Sequence, residues 1–291
     1  PEADPVHRFD RPQFFGEAYN AGKSAMVEIA TSTSFTDVSH VPRTEGGDDS
    51  WRTGGIIHRH GSATPRVVVL GSSHALMYSH VIDEIARAEG VSVAFLGMPA
   101  TPPFFATAVD RNFRTVAEAR GFDETRKDWI RRWHPDVVFV IDRWDRRVWE
   151  RSFGDAFDAF LREVAPISGR IVFLAQPPVL QWSDKFNLRE FVVSRGRGSG
   201  ALPPFHVDKM DAVRRSITSD AERALSRYPT LRVLRPDTLF AGPDGSVRYA
   251  SGRAFYYLDD DHLTEAGAQQ VRPMLHAALR DALNPTPTPH P

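Results

Sequence analysis

Short apolar runs alternate with amphipathic stretches along most of the chain, from about residue 66 to residue 283. Five of these runs are rich in β-branched and aliphatic residues, which is typical of strands buried on both faces of a sheet. The pattern predicts strands at 66–70, 91–96, 137–141, 170–175 and 231–234. Apolar residues with helical spacing follow these runs and predict helices at 75–89, 123–133, 153–164, 207–228 and 264–283.

Strands that alternate with helices favour an α/β fold, in which a parallel sheet is covered on both faces and the crossovers are right-handed. We therefore expect a three-layer α/β/α sandwich with a five-stranded parallel sheet, formed by residues 65–283. In such a sheet the active site lies beyond the carboxyl ends of the strands. Gly71-Ser72-Ser73, Gly97 and Asp142-Arg143-Trp144 each follow a predicted strand, so we expect them along one edge.

The two ends of the chain differ from this core in composition. Residues 1–64 are polar and rich in turn residues, and we expect an irregular N-terminal extension, with at most short elements, packed on the main domain. His58 and His60 alternate there as metal ligands can, but a closed site needs more ligands than the segment supplies, so we expect no metal. Residues 284–291 are rich in Pro and Thr and are expected to form a disordered tail. The chain begins without an initiator Met or a signal-peptide pattern, so we expect a fragment or a mature form.

Composition and charge exclude several classes of function. A hydrophobic share of 41% with 25% charged residues is ordinary for a soluble globular protein. The formal net charge of -1 argues against a basic nucleic-acid surface, so we expect no nucleic-acid partner. The chain has no cysteine, which excludes disulfides, thiolate metal sites and a cysteine nucleophile. No apolar run reaches the roughly 20 residues that span a bilayer.

The first candidate for chemistry is Gly71-Ser72-Ser73-His74, between the first predicted strand and the first predicted helix. Glycine permits a tight turn, and a serine that starts a helix has its hydroxyl near unpaired amide groups. These features suit a nucleophile. The alternative is that one of the two serines only caps the helix, which is the usual role of serine there.

The second candidate is Asp259-Asp260-Asp261-His262, just before the last predicted helix. An Asp three residues before a His can orient the imidazole through Nδ1, which leaves Nε2 available to take a proton from a serine. The alternative is an acidic loop that caps the helix, with His262 on the surface.

Together these motifs resemble the Ser-Gly-Asn-His (SGNH, or GDSL-like) hydrolase superfamily, whose fold is flavodoxin-like. The Gly-x-Ser-His turn and the Asp-x-x-His motif are similar to its first and last motif blocks, and Gly97 matches the position of its glycine block. The Arg143-Trp144 pair and the segment 256–268 resemble one branch more closely. That branch contains the periplasmic SGNH domains fused to integral-membrane acyltransferases of the acyltransferase-three family, which O-acetylate cell-surface polysaccharides.

The resemblance implies acyl transfer through an acyl-serine, with Ser73 as nucleophile, His262 as base and Asp259 as the acid that orients the base. It also implies an oxyanion hole formed by the backbone N–H groups of Ser73 and Gly97, with the Arg143 side chain as a third donor.

The resemblance is incomplete at two positions. Ser72 stands where the family usually has aspartate, and Asp142-Arg143 occupies the place of its asparagine, so we expect weak hydrolysis. His74 is expected to have a structural role. Trp144 and Trp149 lie among basic residues beside the expected site and are candidates for sugar contact, the alternative being tryptophan packed inside the protein.

The expected activity is transfer of an acyl group, acetyl in the first instance, to a hydroxyl of a cell-surface polysaccharide. The resemblance further implies an extracytoplasmic domain, periplasmic or at the cell surface and membrane-tethered in the full-length protein. Its partners would be a carbohydrate acceptor and a fused or separate integral-membrane acyltransferase. No bound cofactor is expected, and acetyl-CoA would be the upstream acyl donor. Two alternatives stay open: a free-standing carbohydrate acetylesterase and a non-catalytic glycan-binding module.

Overall fold

The structure is a computed structural model that describes residues 54–61, 63–98, 101–105, 113–145, 152–181, 205–207, 211–242, 245–251 and 254–284. The expectations for residues 1–53, for Trp149 and for the tail after residue 284 lie outside these ranges. The strands are β1 (Ile56–His60), β2 (Val67–Gly71), β3 (Val93–Gly97), β4 (Val137–Ile141), β5 (Arg170–Leu174), β6 (Leu231–Leu234), β7 (Ala250–Ser251) and β8 (Ala254–Phe255). The α-helices are α1 (Ser73–Leu76), α2 (Ser79–Ala88), α3 (Val116–Trp133), α4 (Phe153–Val164), α5 (Asp211–Ala224) and α6 (Glu265–Leu283).

The main sheet contains six described strands in the order β1-β3-β2-β4-β5-β6. The strands from β2 to β6 pair in parallel, which confirms the expected five-stranded parallel sheet and its flavodoxin-like order. The sixth strand, β1, pairs antiparallel with β3 at the edge of the sheet. Residues 56–60 therefore form a short strand of the sheet, within the segment where the sequence predicts an irregular extension with at most short elements.

Alternate side chains of each central strand pack on opposite faces of the sheet. In β2, Val67 and Val69 contact the core layer beneath α2 and α6, whereas Val68 and Leu70 contact the layer beneath α3, α4 and α5. All of these side chains are at most 1% exposed. Burial on both faces is the reason that the strand sequences are continuous apolar runs rather than alternating ones.

Three helices depart from the predicted boundaries by more than one residue, and one of them, α5, ends at Ala224, four residues before the predicted end. The predicted helix at 75–89 is divided into α1 and α2 by a tight turn, in which the Tyr78 N–H donates to the Ala75 carbonyl at 3.2 Å. Helix α3 begins at Val116, seven residues before the predicted start, because Thr115 and Glu118 form a reciprocal capping box. That capping signal is present in the sequence as Thr-x-x-Glu.

A 3-10 turn at Pro236–Phe240 and the small β7–β8 hairpin lie between β6 and the loop that leads to α6. Among the described residues, no helix combines the length and the apolar character that crossing a bilayer requires.

Candidate active site

Ser73 is the first residue of α1, directly after β2. Ser72 is the N-cap of this helix, and its Oγ accepts a hydrogen bond from the His74 N–H at 3.4 Å. The capping alternative therefore applies to Ser72 and not to Ser73. As the first helical residue, Ser73 has an N–H group without an acceptor inside its own helix.

The Ser73 hydroxyl contacts the imidazole of His262, a residue 189 positions away in the sequence. The distance from Ser73 Oγ to His262 Nε2 is 2.9 Å, and Asp259 Oδ2 lies 2.8 Å from Nδ1 of the same ring. The structure thus brings the three predicted residues together in the order serine, imidazole and carboxylate. This geometry permits His262 to take the Ser73 proton while Asp259 holds the Nδ1–H tautomer.

The loop that carries His262 is held by its own side chains. Asp259 Oδ1 accepts hydrogen bonds from the N–H groups of Asp261 at 3.0 Å and of His262 at 2.6 Å. At the other end, Thr264 caps α6, and its hydroxyl also donates to the Phe255 carbonyl at 2.5 Å. The direction of the His262 ring therefore follows from a short acidic turn that is fixed on both sides.

A second carboxylate, that of Asp261, also lies close to the His262 ring. Asp261 Oδ1 lies 3.1 Å from His262 Nδ1. The Asp261 side chain is 1% exposed, whereas that of Asp259 is 34% exposed. The sequence signal for Asp261 was only its position next to His262, in a run of three aspartates that a sequence alone does not distinguish.

The charges of these groups shift one another's pKa values. Burial alone would lower the pKa of His262, but its hydrogen bonds to the carboxylates of Asp259 and Asp261 and the negative charges of these groups raise it to about 10. Burial would raise the pKa of Asp259, but its hydrogen bonds to His262 and the charge of that ring hold this pKa well below its usual range. For Asp261, burial is the larger effect and raises the pKa to about 6. The site therefore favours an imidazolium facing two carboxyl groups.

Gly97 lies at the end of β3 as expected, but its N–H group is already in use. It donates to the Gly55 carbonyl at 2.9 Å, at the start of β1. The expectation that this N–H donates to an oxyanion is therefore contradicted by the structure. Glycine is required here for another reason, because a Cβ at Gly97 would lie 1.9 Å from the carbonyl oxygen of Gly71.

Arg143 follows β4 as expected, and its guanidinium faces carboxylates instead of an oxyanion position. Its Nε lies 3.2 Å from Asp145 Oδ1 and its second terminal nitrogen 3.5 Å from Asp260 Oδ2, while the first terminal nitrogen contacts Asp261 Oδ2. Each guanidinium nitrogen therefore has an acidic partner, which makes Arg143 an ion-pair partner in the structure, and its role as an oxyanion donor stays a prediction. The N–H of Ser73 stays the predicted donor.

Trp144 is fully buried, which contradicts the expected sugar contact. Its ring stacks on Phe173 with 4.6 Å between centroids, and its Nε1–H donates to the Leu174 carbonyl at 2.9 Å. The tryptophan belongs to the core layer beneath α4, where an apolar ring gains more from burial than it would from a wet sugar surface. The sugar contact predicted for Trp149 lies outside the described residues.

Substitution of Trp144 by Ala is expected to lower the free energy of unfolding by about 3–5 kcal/mol, because it leaves a cavity in the core. The expected loss for Trp144→Phe is smaller, since the ring packing is kept and mainly the hydrogen bond to Leu174 is lost. Urea unfolding followed by circular dichroism measures both changes. A stable Trp144→Ala protein with weakened sugar binding would instead support the surface interpretation.

His74 has the structural setting expected for it. Its side chain is 1% exposed, its ring centroid lies 4.7 Å from that of His262, and its Nε2 lies 3.4 Å from Asp261 Oδ2. Ligand atoms of His74, Asp261 and His262 lie within 4.8 Å of one another, as the ligands of a metal ion would. Asp261 of this group is also in ion-pair contact with Arg143.

The family model described as "SGNH domain (fused to AT3 domains)" matches residues 42–277 of the chain. A search of the curated proteins found no match. Among solved structures, the periplasmic domain of the lipopolysaccharide acetyltransferase of Salmonella ser. Paratyphi A superposes with a TM-score of 0.60 at 14% identity, covering 92% of this chain and 97% of that chain. A GDSL-like lipase of Bacteroides thetaiotaomicron superposes with a TM-score of 0.48 at 10% identity, covering 76% and 92%. An acetyl-xylooligosaccharide esterase of Geobacillus gives 0.46 at 12% identity, covering 77% and 95%.

Proposed function

This chain belongs to the family of SGNH domains that are fused to AT3 domains, and from that premise we propose that it is a serine-dependent O-acyltransferase. The transferred group is an acyl group, acetyl in the first instance, and the acceptor is a hydroxyl of a cell-surface polysaccharide. The observation that carries the proposal is the contact of 2.9 Å between Ser73 Oγ and His262 Nε2, with Asp259 on the other ring nitrogen.

In the first half of the proposed reaction, Ser73 Oγ attacks the carbonyl carbon of the acyl donor while His262 Nε2 takes the hydroxyl proton. The carbonyl π electrons move to its oxygen, and the Ser73 N–H donates a hydrogen bond to the resulting oxyanion. When the oxyanion collapses, the bond to the leaving group breaks and His262 returns the proton to that group. An acyl-serine ester remains.

In the second half, a sugar hydroxyl attacks the acyl-serine and His262 takes its proton. Collapse of the second oxyanion breaks the bond to Ser73 Oγ, which regains the proton from His262. The acyl group is then an ester of the sugar. Water in place of the sugar gives hydrolysis by the same steps. One expected oxyanion donor, the N–H of Gly97, donates to the Gly55 carbonyl in the structure. Loss of such a donor costs about 10²–10³ in rate, which favours slow hydrolysis.

The proposed setting follows from the family and from a structural relative. The family is described as fused to AT3 domains, and the Salmonella relative is a periplasmic domain of a lipopolysaccharide acetyltransferase. We therefore propose an extracytoplasmic domain that works with a fused or separate AT3 membrane domain. In that arrangement acetyl-CoA is the upstream acyl donor and the domain itself holds no cofactor.

Product analysis tests this proposal. The protein is incubated with an aryl acetate, with and without a polysaccharide-derived oligosaccharide, and mass spectrometry measures acetylated sugar against released acetate. We expect acetylated sugar to form, and Ser73→Ala to abolish it. Acetate alone would favour the acetylesterase alternative. No turnover, together with no labelling of Ser73 by a sulfonyl fluoride, would overturn the proposal and favour a glycan-binding module.

A further inference from the structure

Asp261 lies between three nitrogen-bearing side chains that come from three parts of the fold. Its Oδ1 is 3.1 Å from His262 Nδ1, and its Oδ2 is 3.4 Å from His74 Nε2 and in contact with Arg143. A carboxylate that is 1% exposed is costly to bury unless a cation and hydrogen-bond donors compensate for its lost hydration. His262 and Arg143 both supply positive charge beside Asp261, and Arg143 is the one of the two that comes from outside the loop.

Arg143 is itself fixed from two strand ends. Its Nε contacts Asp145 Oδ1 at 3.2 Å, and the Gln176 Nε2 group donates to the same carboxylate oxygen at 2.8 Å. Gln176 Oε1 accepts hydrogen bonds from the backbone N–H groups of Trp144 at 2.6 Å and of Asp145 at 3.1 Å. The segment after β4 is thereby tied to the segment after β5, and Arg143 projects from a rigid support toward Asp261.

Resting on the proposed function, we infer that Asp261 is a second positioning carboxylate for His262, and that Arg143 acts on the reaction through Asp261. Two carboxylates approach Nδ1 of His262: Asp259 Oδ2 forms a hydrogen bond at 2.8 Å, and Asp261 Oδ1 lies at ion-pair distance, 3.1 Å away. Either one can hold the ring in the tautomer that leaves Nε2 facing Ser73. The buried one, Asp261, is held by Arg143, and the partly exposed one, Asp259, by the loop backbone.

Several other charged and titratable groups surround Asp261 and His262, and they also influence the pH dependence of the reaction. Asp259 and Asp260 face it from the same loop, His74 faces it from α1, and Arg143 faces it from the end of β4. Tyr257 also feels the charge of Asp261, although burial is the main reason that its own pKa is raised.

The decisive experiment compares the parent protein, Asp259→Asn, Asp261→Asn and the double variant in aryl acetate hydrolysis. Neutralising the only orienting acid of a Ser-His-Asp triad lowers kcat by about 10⁴. With two acids we expect a loss of roughly 10–100-fold in each single variant, because one carboxylate still orients the ring. The double variant should approach the full loss of about 10⁴. If Asp259→Asn alone gives the full loss and Asp261→Asn behaves as the parent, the inference is wrong.

The pH profile separates a positioning role from a merely structural one. Asp261→Asn removes an anion that stabilises the imidazolium, so the acid limb of kcat/KM should move to lower pH. Asp260→Asn is the matched control, since it removes a charge from the same loop at a residue whose described ion pair is with Arg143. We expect it to move the limb less than half as far. An equal shift in both variants would show a general charge effect and would contradict the inference.

Variants of Arg143 test whether it acts through Asp261. Arg143→Gln should reduce kcat to the level of Asp261→Asn, and the double variant Arg143→Gln with Asp261→Asn should be no slower than Asp261→Asn alone. Arg143→Lys keeps the charge and should restore most of the rate. Additive losses would overturn this part of the inference.

Titration of His262 tests the role of Asp261 without enzyme turnover, and therefore independently of the proposed function. Imidazole NMR of Asp259→Asn should show that His262 still titrates above its ordinary value of 6.5, because Asp261 remains at Nδ1. Thermal unfolding of each variant checks that it is folded. A parent protein without esterase or transferase activity would defeat the proposed function, whereas a His262 that titrates normally in Asp259→Asn would defeat the role of Asp261.

Discussion

Substitution of Ser73 by Ala or of His262 by Ala is expected to lower kcat for an aryl acetate by a factor on the order of 10⁴–10⁶. Ser73→Ala removes the oxygen that forms the acyl ester, and His262→Ala removes the base that lies 2.9 Å from it. Because neither group works without the other, the double variant should be no slower than either single variant. Initial rates of aryl alcohol release measure all three losses.

Ser72→Ala is the control for this experiment, since it changes a neighbouring serine whose hydroxyl caps α1. We expect a stability loss of about 1 kcal/mol from the missing cap and retention of most of the activity. Full activity in Ser73→Ala combined with loss in Ser72→Ala would move the nucleophile by one position. Equal, additive losses in Ser73→Ala and His262→Ala would mean that the two residues do not act as a unit.

Turnover is expected to rise steeply with pH, about tenfold per unit between pH 6 and pH 9. His262 accepts the Ser73 proton only when its Nε2 is unprotonated, and the two facing carboxylates raise its pKa to about 10. Most of the protein therefore carries an imidazolium at neutral pH, and the active fraction grows as that proton is lost. The measurement is kcat/KM for an uncharged aryl acetate across this range, corrected for spontaneous hydrolysis. A profile that is level above pH 7 would contradict the prediction.

The same pKa shift has a consequence for stability. A raised folded-state pKa means that the fold favours the imidazolium, so this contribution is fully present below the unfolded-state value of 6.5 and is lost as pH rises towards about 10. The lowered pKa of Asp259 acts in the opposite direction, since its contribution is lost only as the solution becomes strongly acidic. Urea unfolding at several pH values should show a greater fall between pH 7 and pH 10 for the parent protein than for His262→Asn.

Much of the layered architecture was readable from the sequence, because it depends on local periodicity. The runs at 137–141 and 231–234 form strands with the predicted bounds, and the helix at 153–164 also matches its prediction. Buried strands need continuous apolar residues and surface helices need an apolar stripe, so both leave a pattern within ten to twenty residues. Ser73 and His262 were also predictable, since a strand end and a helix start place them at the edge where sites form in such sheets.

The tertiary structure alone decided the roles that depend on distant partners. Arg143 and Asp261 are 118 residues apart, and nothing local in either segment indicates their contact. The N–H of Gly97 donates to the Gly55 carbonyl only because β1 adds to the edge of the sheet beside β3. Trp144 is a core residue because β4 ends with the ring turned towards Phe173 on the neighbouring strand. Short-range preferences in the sequence determine which segments form strands and helices. The packing of the whole domain sets the register between distant segments, and that register decides which side chains are in contact.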